Sequence, residues 1–440
     1  MGDNLKLTNY IDELENEIIE IRRDLHKYAE SGWTEFRTAS KIAKYLDDLG
    51  YEIKLGEDIF NKEYMMGLPT KEELKAHRSR ALSQGGIKEY IEKMEDGYTG
   101  VVGILDTGRQ GKTIAFRFDI DSNDGVESNS LEHRPFKEGF VSVNKGAMHT
   151  CGHDGHASIG LALSKVFKKF EEKLNGKIIL IFQPAEEGTR GAKAMAYSHI
   201  LDDVDYLISG HLGFSSNTVG EIVCNTGGFF STTKMDVTFK GRSSHAGASP
   251  EKGKNALLGA ATATLNLHTL CQHKEGIGRI NVGVLNGGTG RNVIPELAEM
   301  KIETRGENNN INNYITERAI EIIKASAIMY DLECEIKIVG GAESANSDTE
   351  LSKIIEKVGR DLDDIKSIVE QAKLGGSEDV TYMMNKVQQN GGKAVYVIFG
   401  TTLAADHHNS SFDFDEGALK IAAKVYASTA FELNRREEKV

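Results

Sequence analysis

The run Met148-His149-Thr150-Cys151-Gly152-His153-Asp154-Gly155-His156 places one thiol, three imidazoles and one carboxylate within nine positions. Such donors suit a divalent ion of the zinc or manganese kind, provided other parts of the chain contribute ligands too. Cys151 and His153 stand two apart and cannot share one helix face, so a ligand role requires a loop there. Three further segments carry similar groups, each just beyond an apolar run: Gln183-Pro184-Ala185-Glu186-Glu187-Gly188 after 178–182, Gly210-His211 after 206–209, and Asp406-His407-His408-Asn409 shortly after 396–399. In an open α/β sheet, binding groups collect beyond the carboxyl ends of the strands. Each segment alone also has a bland reading, a hydrogen-bonded structural histidine for His211 and a solvated helix start for Glu186 and Glu187. Their common topological position favours one joint site. With two adjacent glutamates, one can bind a metal while the other acts as general base toward a metal-held water, later returning the proton to a leaving nitrogen. That is amide hydrolysis.

Other chemistries lack their motifs. No Gly-x-Ser-x-Gly elbow, His-Glu-x-x-His helix or Gly-x-x-x-x-Gly-Lys-Ser/Thr loop occurs. The glycine-rich stretch 286–292 leads into another strand rather than a helix, which argues against a phosphate cradle.

Positioning such a site demands strands alternating with helices. Strands at 101–105, 113–118, 177–182 and 206–209 and a helix over 155–170, with Asp154 as its N-cap, point to an α/β core with a largely parallel sheet. From about 231 to 339 the order becomes strand, helix, strand, strand, helix, strand, which is the ferredoxin-like arrangement. A helix over 350–359, another opening at Ser377-Glu378-Asp379, a strand over 394–399 and a helix over 416–433 resume the first pattern. The expectation is a discontinuous α/β catalytic domain over 1–230 and 343–440, with a smaller α+β lid or dimerisation domain inserted at 231–342. Ahead of it, apolar spacing over 10–49 predicts two helices around Glu30-Ser31-Gly32-Trp33. The charged stretch 55–97 reads as a surface insertion with short helices at 71–82 and 87–94.

Composition narrows the partners. The 66 acidic and 53 basic side chains leave a formal charge of −13 on 440 residues, which argues against nucleic-acid binding. No apolar run approaches the roughly 18 residues of a membrane span, and residues 1–6 lack the apolar segment of a signal peptide. A cytoplasmic protein is expected. Four cysteines are too few to staple the chain, and Cys224, Cys271 and Cys334 read as small core residues.

At His149-Thr150-Cys151-Gly152-His153-Asp154, Gln183-Pro184-Ala185-Glu186-Glu187-Gly188 and the His408 motif, the sequence resembles the M20 family of metal-dependent amidohydrolases, in the branch of hippurate, auxin-conjugate and N-acyl-amino-acid hydrolases. Tyr28-Ala29-Glu30-Ser31-Gly32-Trp33, Met66-Gly67-Leu68-Pro69, Glu187-Gly188-Thr189-Arg190-Gly191-Ala192, Gly290-Arg291-Asn292-Val293 and His407-His408-Asn409 bring it nearest to a subgroup acting on aromatic acyl-glutamates. The resemblance implies two divalent metal ions, Mn²⁺ or Zn²⁺, held by Cys151, His153, Glu187, His211 and His408, with Cys151 a candidate bridge and Glu186 the general base. It implies that His245, in Ser244-His245-Ala246-Gly247, stabilises the oxyanion, often across a dimer interface, and that Asn292 and Arg305 grip the substrate carboxylate. From the residues alone, Arg305 fits a surface salt bridge equally well. Two departures from the branch stand out: Thr150 in place of the usual Ala, and Asp406 in place of a small residue. The second leaves His407 and His408 competing as ligand, with the register of Asn409 and Phe412-Asp413 favouring His408. The implied reaction is hydrolysis of the amide of an aromatic N-acyl-glutamate, p-aminobenzoyl-glutamate first, in a homodimer or in a heterodimer whose second subunit is homologous. The enzymatic alternative is a broader acyl-amino-acid deacylase or dipeptidase, and the other is a non-catalytic metal-binding partner subunit.

Overall fold

A computed structural model describes residues 2–270 and 272–435, and Cys271 lies outside them. The chain divides into two compact units. One runs through Gly227 and continues with Ala345–Leu374 and from Asp379 onward; the other comprises Gly228–Ser344 and Gly375–Glu378.

In the first unit, runs such as Ile178-Ile179-Leu180-Ile181-Phe182 are buried throughout, as strands covered on both faces must be. They build an eight-stranded sheet in the order Glu52–Leu55, Val101–Asp106, Lys177–Gln183, Thr113–Asp119, Tyr206–Leu212, Lys393–Phe399, Glu221–Val223 and Ser367–Val369. The four central strands, from Lys177–Gln183 to Lys393–Phe399, are mutually parallel, so their carboxyl ends lie side by side. The helix His153–Lys169 packs on this sheet. A Cβ at Gly160 would lie 2.6 Å from Phe118 and 2.7 Å from Phe182, an approach that glycine alone permits.

Several local expectations change. The helix starts at His153 with Gly152 as N-cap at φ +97°, so Asp154 sits inside its first turn and its carboxylate turns to Arg22 and His26 instead of capping. The strand at 206 runs on to Leu212, which puts His211 within it. Before Trp33 there are two helices rather than one, Gly2–Glu13 and Glu15–Lys27, with the break at Leu14. The helix expected to open at Ser377-Glu378-Asp379 begins only at Thr381, because the Asp379 carboxylate is spent on the Gly191 and Ala192 amides. Cys224 is buried, as expected of a core residue, whereas Cys334 is only half-buried at the margin of its core.

The 55–97 segment is anchored rather than loose. Its helix Lys71–Ser83 opens with a capping box between Thr70 and Glu73. Met66 and Gly67 offer their carbonyls to Trp33 Nε1 at 2.8 Å and to Arg190 Nη1 at 3.3 Å.

The second unit has the strand, helix, strand, strand, helix, strand order. Its antiparallel sheet runs Gly278–Gly287, Leu297–Gly306, Ser231–Lys240, Glu333–Ala342. Alternate residues Met235, Val237 and Phe239, with Ala298, Met300 and Ile302, face the helices Ala256–Leu267 and Asn309–Met329 and form its core.

Candidate metal centre

Four loops meet at the carboxyl ends of the parallel strands. Strand Thr113–Asp119 ends in Asp119-Ile120-Asp121, whose second carboxylate organises the site. Asp121 accepts the Glu186 amide at 3.1 Å on one oxygen and the Glu187 amide at 2.9 Å on the other. His153 Nδ1 lies 3.0 Å from the Asp121 carbonyl and 3.3 Å from its carboxylate. Donation there leaves His153 Nε2 turned inward as an acceptor, the usual arrangement behind a metal-binding imidazole. The Glu186-Glu187 turn is held in left-handed backbone at both ends, with φ +52° at Ala185 and +57° at Thr189. Such strain in residues other than glycine persists only where the surroundings impose it. Here the Glu35 carboxylate takes the Ala185 amide at 2.8 Å, and the Thr189 amide closes on the Glu186 carbonyl at 2.6 Å.

His211 donates Nδ1–H to the Leu212 carbonyl at 2.8 Å and turns Nε2 toward Cys151 Sγ, 3.4 Å away. His408 adopts φ +66°, and its amide donates to the Thr150 carbonyl at 2.8 Å, tying the last loop to the first. Its Nε2 lies 3.5 Å from Glu187 Oε1. The Thr150 hydroxyl, standing where the branch has a methyl, donates to Asn123 Oδ1 at 2.7 Å and leaves the ligand loop intact.

The donor atoms of Cys151, His153 and His211 lie within 4.8 Å of one another, and so do those of Cys151, Glu187 and His408. The two triads share the thiol. His153 Nε2 and Glu187 Oε1 are buried with no hydrogen-bond partner. An unsatisfied buried nitrogen and oxygen at the edges of two triads are costly unless a cation completes them, so the residues fit a metal. Burial pushes the Cys151 thiol above its ordinary range and His211 well below its own. The Cys151 thiol and the Glu187 carboxylate beside it raise His408 to about 10. Cations entering this site therefore displace protons.

His407 lies apart from the triads. Its Nε2 is 3.2 Å from the Leu212 carbonyl, and its ring stacks on Phe214 with centroids 4.4 Å apart. Glu186 is buried, with Oε2 3.8 Å from His153 Nε2. The remaining candidates belong to the second unit. His245 Nδ1 accepts the Gly247 and Ala248 amides at 3.1 and 3.0 Å, which places its proton on Nε2. The Ala246 amide donates to the Asn292 carbonyl at 2.9 Å, so His245 and Asn292 occupy adjoining loops. Arg305 directs Nε and Nη2 at Glu303, at 2.9 and 3.1 Å.

Asp119, Asp121 and His156 are absent from the expected set. His156 Nδ1 lies 2.5 Å from Asp119 and its Nε2 accepts the Leu212 amide at 3.1 Å, bracing the strand that carries His211. The rule that polar residues follow strand ends, applied to the strand ending at 118, marks both aspartates. Behind the ligands, wholly buried Arg22 reaches Asp154 at 2.7 Å, Asp413 at 2.9 Å and Glu416 at 3.1 Å. It thereby joins the first turn of the helix after Cys151 to the segment after His408.

The sequence profile of peptidase family M20/M25/M40 matches residues 115–432. The chain belongs to this family. It is 48% identical to the indole-3-acetyl-aspartic acid hydrolase of Enterobacter agglomerans, over 96% of this chain and 97% of that protein. Identity is 46%, with the same two coverages, to one of the subunits of p-aminobenzoyl-glutamate hydrolase from Escherichia coli (strain K12). Among solved structures, the aminobenzoyl-glutamate utilization protein from Klebsiella pneumoniae superposes with a TM-score of 0.84 at 40% identity, covering 97% of this chain and 98% of that one. As an M20/M25/M40 peptidase the chain is a hydrolase, built as the mixed α/β fold with an inserted α+β unit. Among the described residues no helix is long and apolar enough to cross a membrane.

Proposed function

We propose that this chain hydrolyses the amide of an aromatic N-acyl-glutamate, p-aminobenzoyl-glutamate in the first instance, to the aromatic acid and free glutamate. The observation that carries the reading is the pair of triads sharing Cys151, with two buried ligand atoms that carry no hydrogen bond. Cys151, His153, Glu187, His211 and His408 would hold two divalent ions, Mn²⁺ or Zn²⁺, which when bound supply Lewis-acid polarisation of the amide carbonyl and of water. Glu186 takes the proton from the attacking water and returns it to the leaving nitrogen. His245 offers Nε2–H to the developing oxyanion. Asn292 and Arg305 take the substrate carboxylate, with Glu303 fixing the plane of the Arg305 fork. The inserted unit serves as lid and dimerisation domain. One relative named as a subunit of a hydrolase, and a second named as its homolog, support a partner chain, here taken as a homologous second subunit, with a homodimer as the other arrangement.

The indole-acetyl-aspartate enzyme among the relatives favours acyl-aspartates as a second substrate group for the same machinery. Glu186→Ala tests the assignment of the base. The variant is expected to keep its full metal content and to lose turnover of p-aminobenzoyl-glutamate by at least about a hundredfold. Retained turnover with metal bound removes Glu186 as the base, and a wild-type chain that cleaves neither acyl-glutamates nor acyl-aspartates when loaded with Mn²⁺ or Zn²⁺ removes the reading itself.

A further inference from the structure

At one end of the second unit's sheet, Arg279 on the edge strand Gly278–Gly287 pairs directly opposite Arg305 on its neighbour. Like charges facing each other across a strand pair are destabilising unless something neutralises them. Glu303 serves only one side of the pair: it holds Arg305 and also lies 3.4 Å from Lys234. Among the described residues no carboxylate reaches Arg279. Its guanidinium, exposed at the sheet edge, lies instead over the Phe230 ring, 5.7 Å from the centroid, and with Phe230, Ile277 and Arg305 it borders a cleft too shallow to enclose a water. The next carboxylate along the chain, Glu307, is turned to the Ile277 amide at 3.1 Å. Glu303 thus serves Lys234 and Arg305, while exposed Arg279 has no carboxylate against it among the described residues.

We propose that Arg279 binds the side-chain carboxylate of an acylated dicarboxylic amino acid, while Arg305 takes its α-carboxylate. The assignment rests on the hydrolase reading for the role of Arg305 and adds to it the residue that separates glutamate and aspartate conjugates from those of neutral amino acids. Guanidinium groups on adjacent strands stand close enough for two carboxylates on one short carbon chain. Arg279 offers a planar fork that a carboxylate meets with two hydrogen bonds, and Arg305 offers the Nη1 edge that Glu303 leaves open. Phe230 beneath the Arg279 plane limits its freedom, so less conformational entropy is lost on binding. A neutral side chain in the same place leaves a cation unpaired, and that penalty is what discriminates.

The test compares wild type, Arg279→Ala and Arg279→Lys in the full metal-loaded chain. Substrates are p-aminobenzoyl-glutamate, its glutamine counterpart and its glycine counterpart; calorimetric titration with N-acetyl-glutamate and N-acetyl-glutamine gives a readout independent of turnover. Wild type is expected to favour glutamate over glutamine by about tenfold or more in kcat/KM. Arg279→Ala should lower kcat/KM on the glutamate substrate by about tenfold to a hundredfold, chiefly through KM, while staying within about twofold on glutamine; the lysine variant should recover only part. Equal losses on both substrates, no loss on glutamate, or a change of oligomeric state accompanied by equal losses would each overturn the assignment. If wild type cleaves none of the three substrates, the hydrolase reading fails by itself. The titration then decides on Arg279: a preference for N-acetyl-glutamate that Arg279→Ala abolishes supports the cleft, and its absence refutes it.

Discussion

Replacing Arg22 by Met preserves most of the side-chain volume and deletes the charge at the centre of a buried ionic cluster. Breaking a buried pair by removing one partner costs roughly 3–5 kcal/mol, because the other ion is left uncompensated. Each orphaned carboxylate here retains another donor. Asp154 keeps His26 at 2.8 Å, Asp413 keeps Arg134 at 2.5 Å, and Glu416 keeps Arg23 at 2.9 and 2.7 Å. The electrostatic loss therefore falls at the lower end, about 3 kcal/mol. Arg22 also stacks over Phe414, 4.4 Å from the ring centroid, and losing that contact adds on the order of 1 kcal/mol. Urea unfolding of the metal-free chain, followed by Trp33 fluorescence, provides the assay. Trp33 is the sole tryptophan and is fully buried in the first unit, so its signal reports that unit. With a slope on the order of 3 kcal/mol per molar urea, the midpoint should fall by about 1 M. A fall below about 0.3 M at unchanged slope, worth less than about 1 kcal/mol, would refute the claim that Arg22 holds the cluster together.

Asp121→Ala removes the carboxylate that orients His153 and the Glu186-Glu187 turn, and should weaken metal binding by about tenfold to a hundredfold in chelator competition; an unchanged affinity would mean that the backbone alone sets the turn. Burial, reinforced by the Asp121 carboxylate, pushes Glu35 up to about 8. Its ionisation thus opposes folding: the contribution is most favourable below the unfolded carboxyl range near pH 4 to 5 and is lost as pH rises toward 8. Glu35→Gln, which can still accept the Ala185 amide and donate to Thr99, should flatten this decline in metal-free urea titrations at pH 5 and 8, and an unaltered pH slope would assign the decline to other groups.

The parallel core is legible in the sequence because each central strand carries a short, mainly apolar run. His211 reads as lying one step outside its strand because Gly210-His211 interrupts that apolar pattern, although the backbone ladder continues to Leu212. Strand Glu52–Leu55 carries a mixed polar pattern, and Glu221–Val223 is only three residues long; such short elements form by tertiary pairing rather than local periodicity. Asp154 is a good N-cap by type, yet a buried arginine and a buried histidine from the Glu15–Lys27 helix claim it, a competition between distant segments that no local pattern records. Cys151, Glu187 and His408 are traceable because their residue types are chemically distinctive. Asp119 and Asp121 escape notice because aspartates after a strand are commonplace and their importance lies in which amides and imidazoles they receive.

The cluster draws its side chains from positions as far apart as 151 and 408, and strand Lys393–Phe399 slots between Tyr206–Leu212 and Glu221–Val223. A chain still emerging from the ribosome therefore exposes two unpaired strand flanks until residues 393–399 have been made. Cofactor loading must wait for His408, and a truncation that spares every residue up to 390 would yield a protein able neither to close its central layer nor to capture its ions.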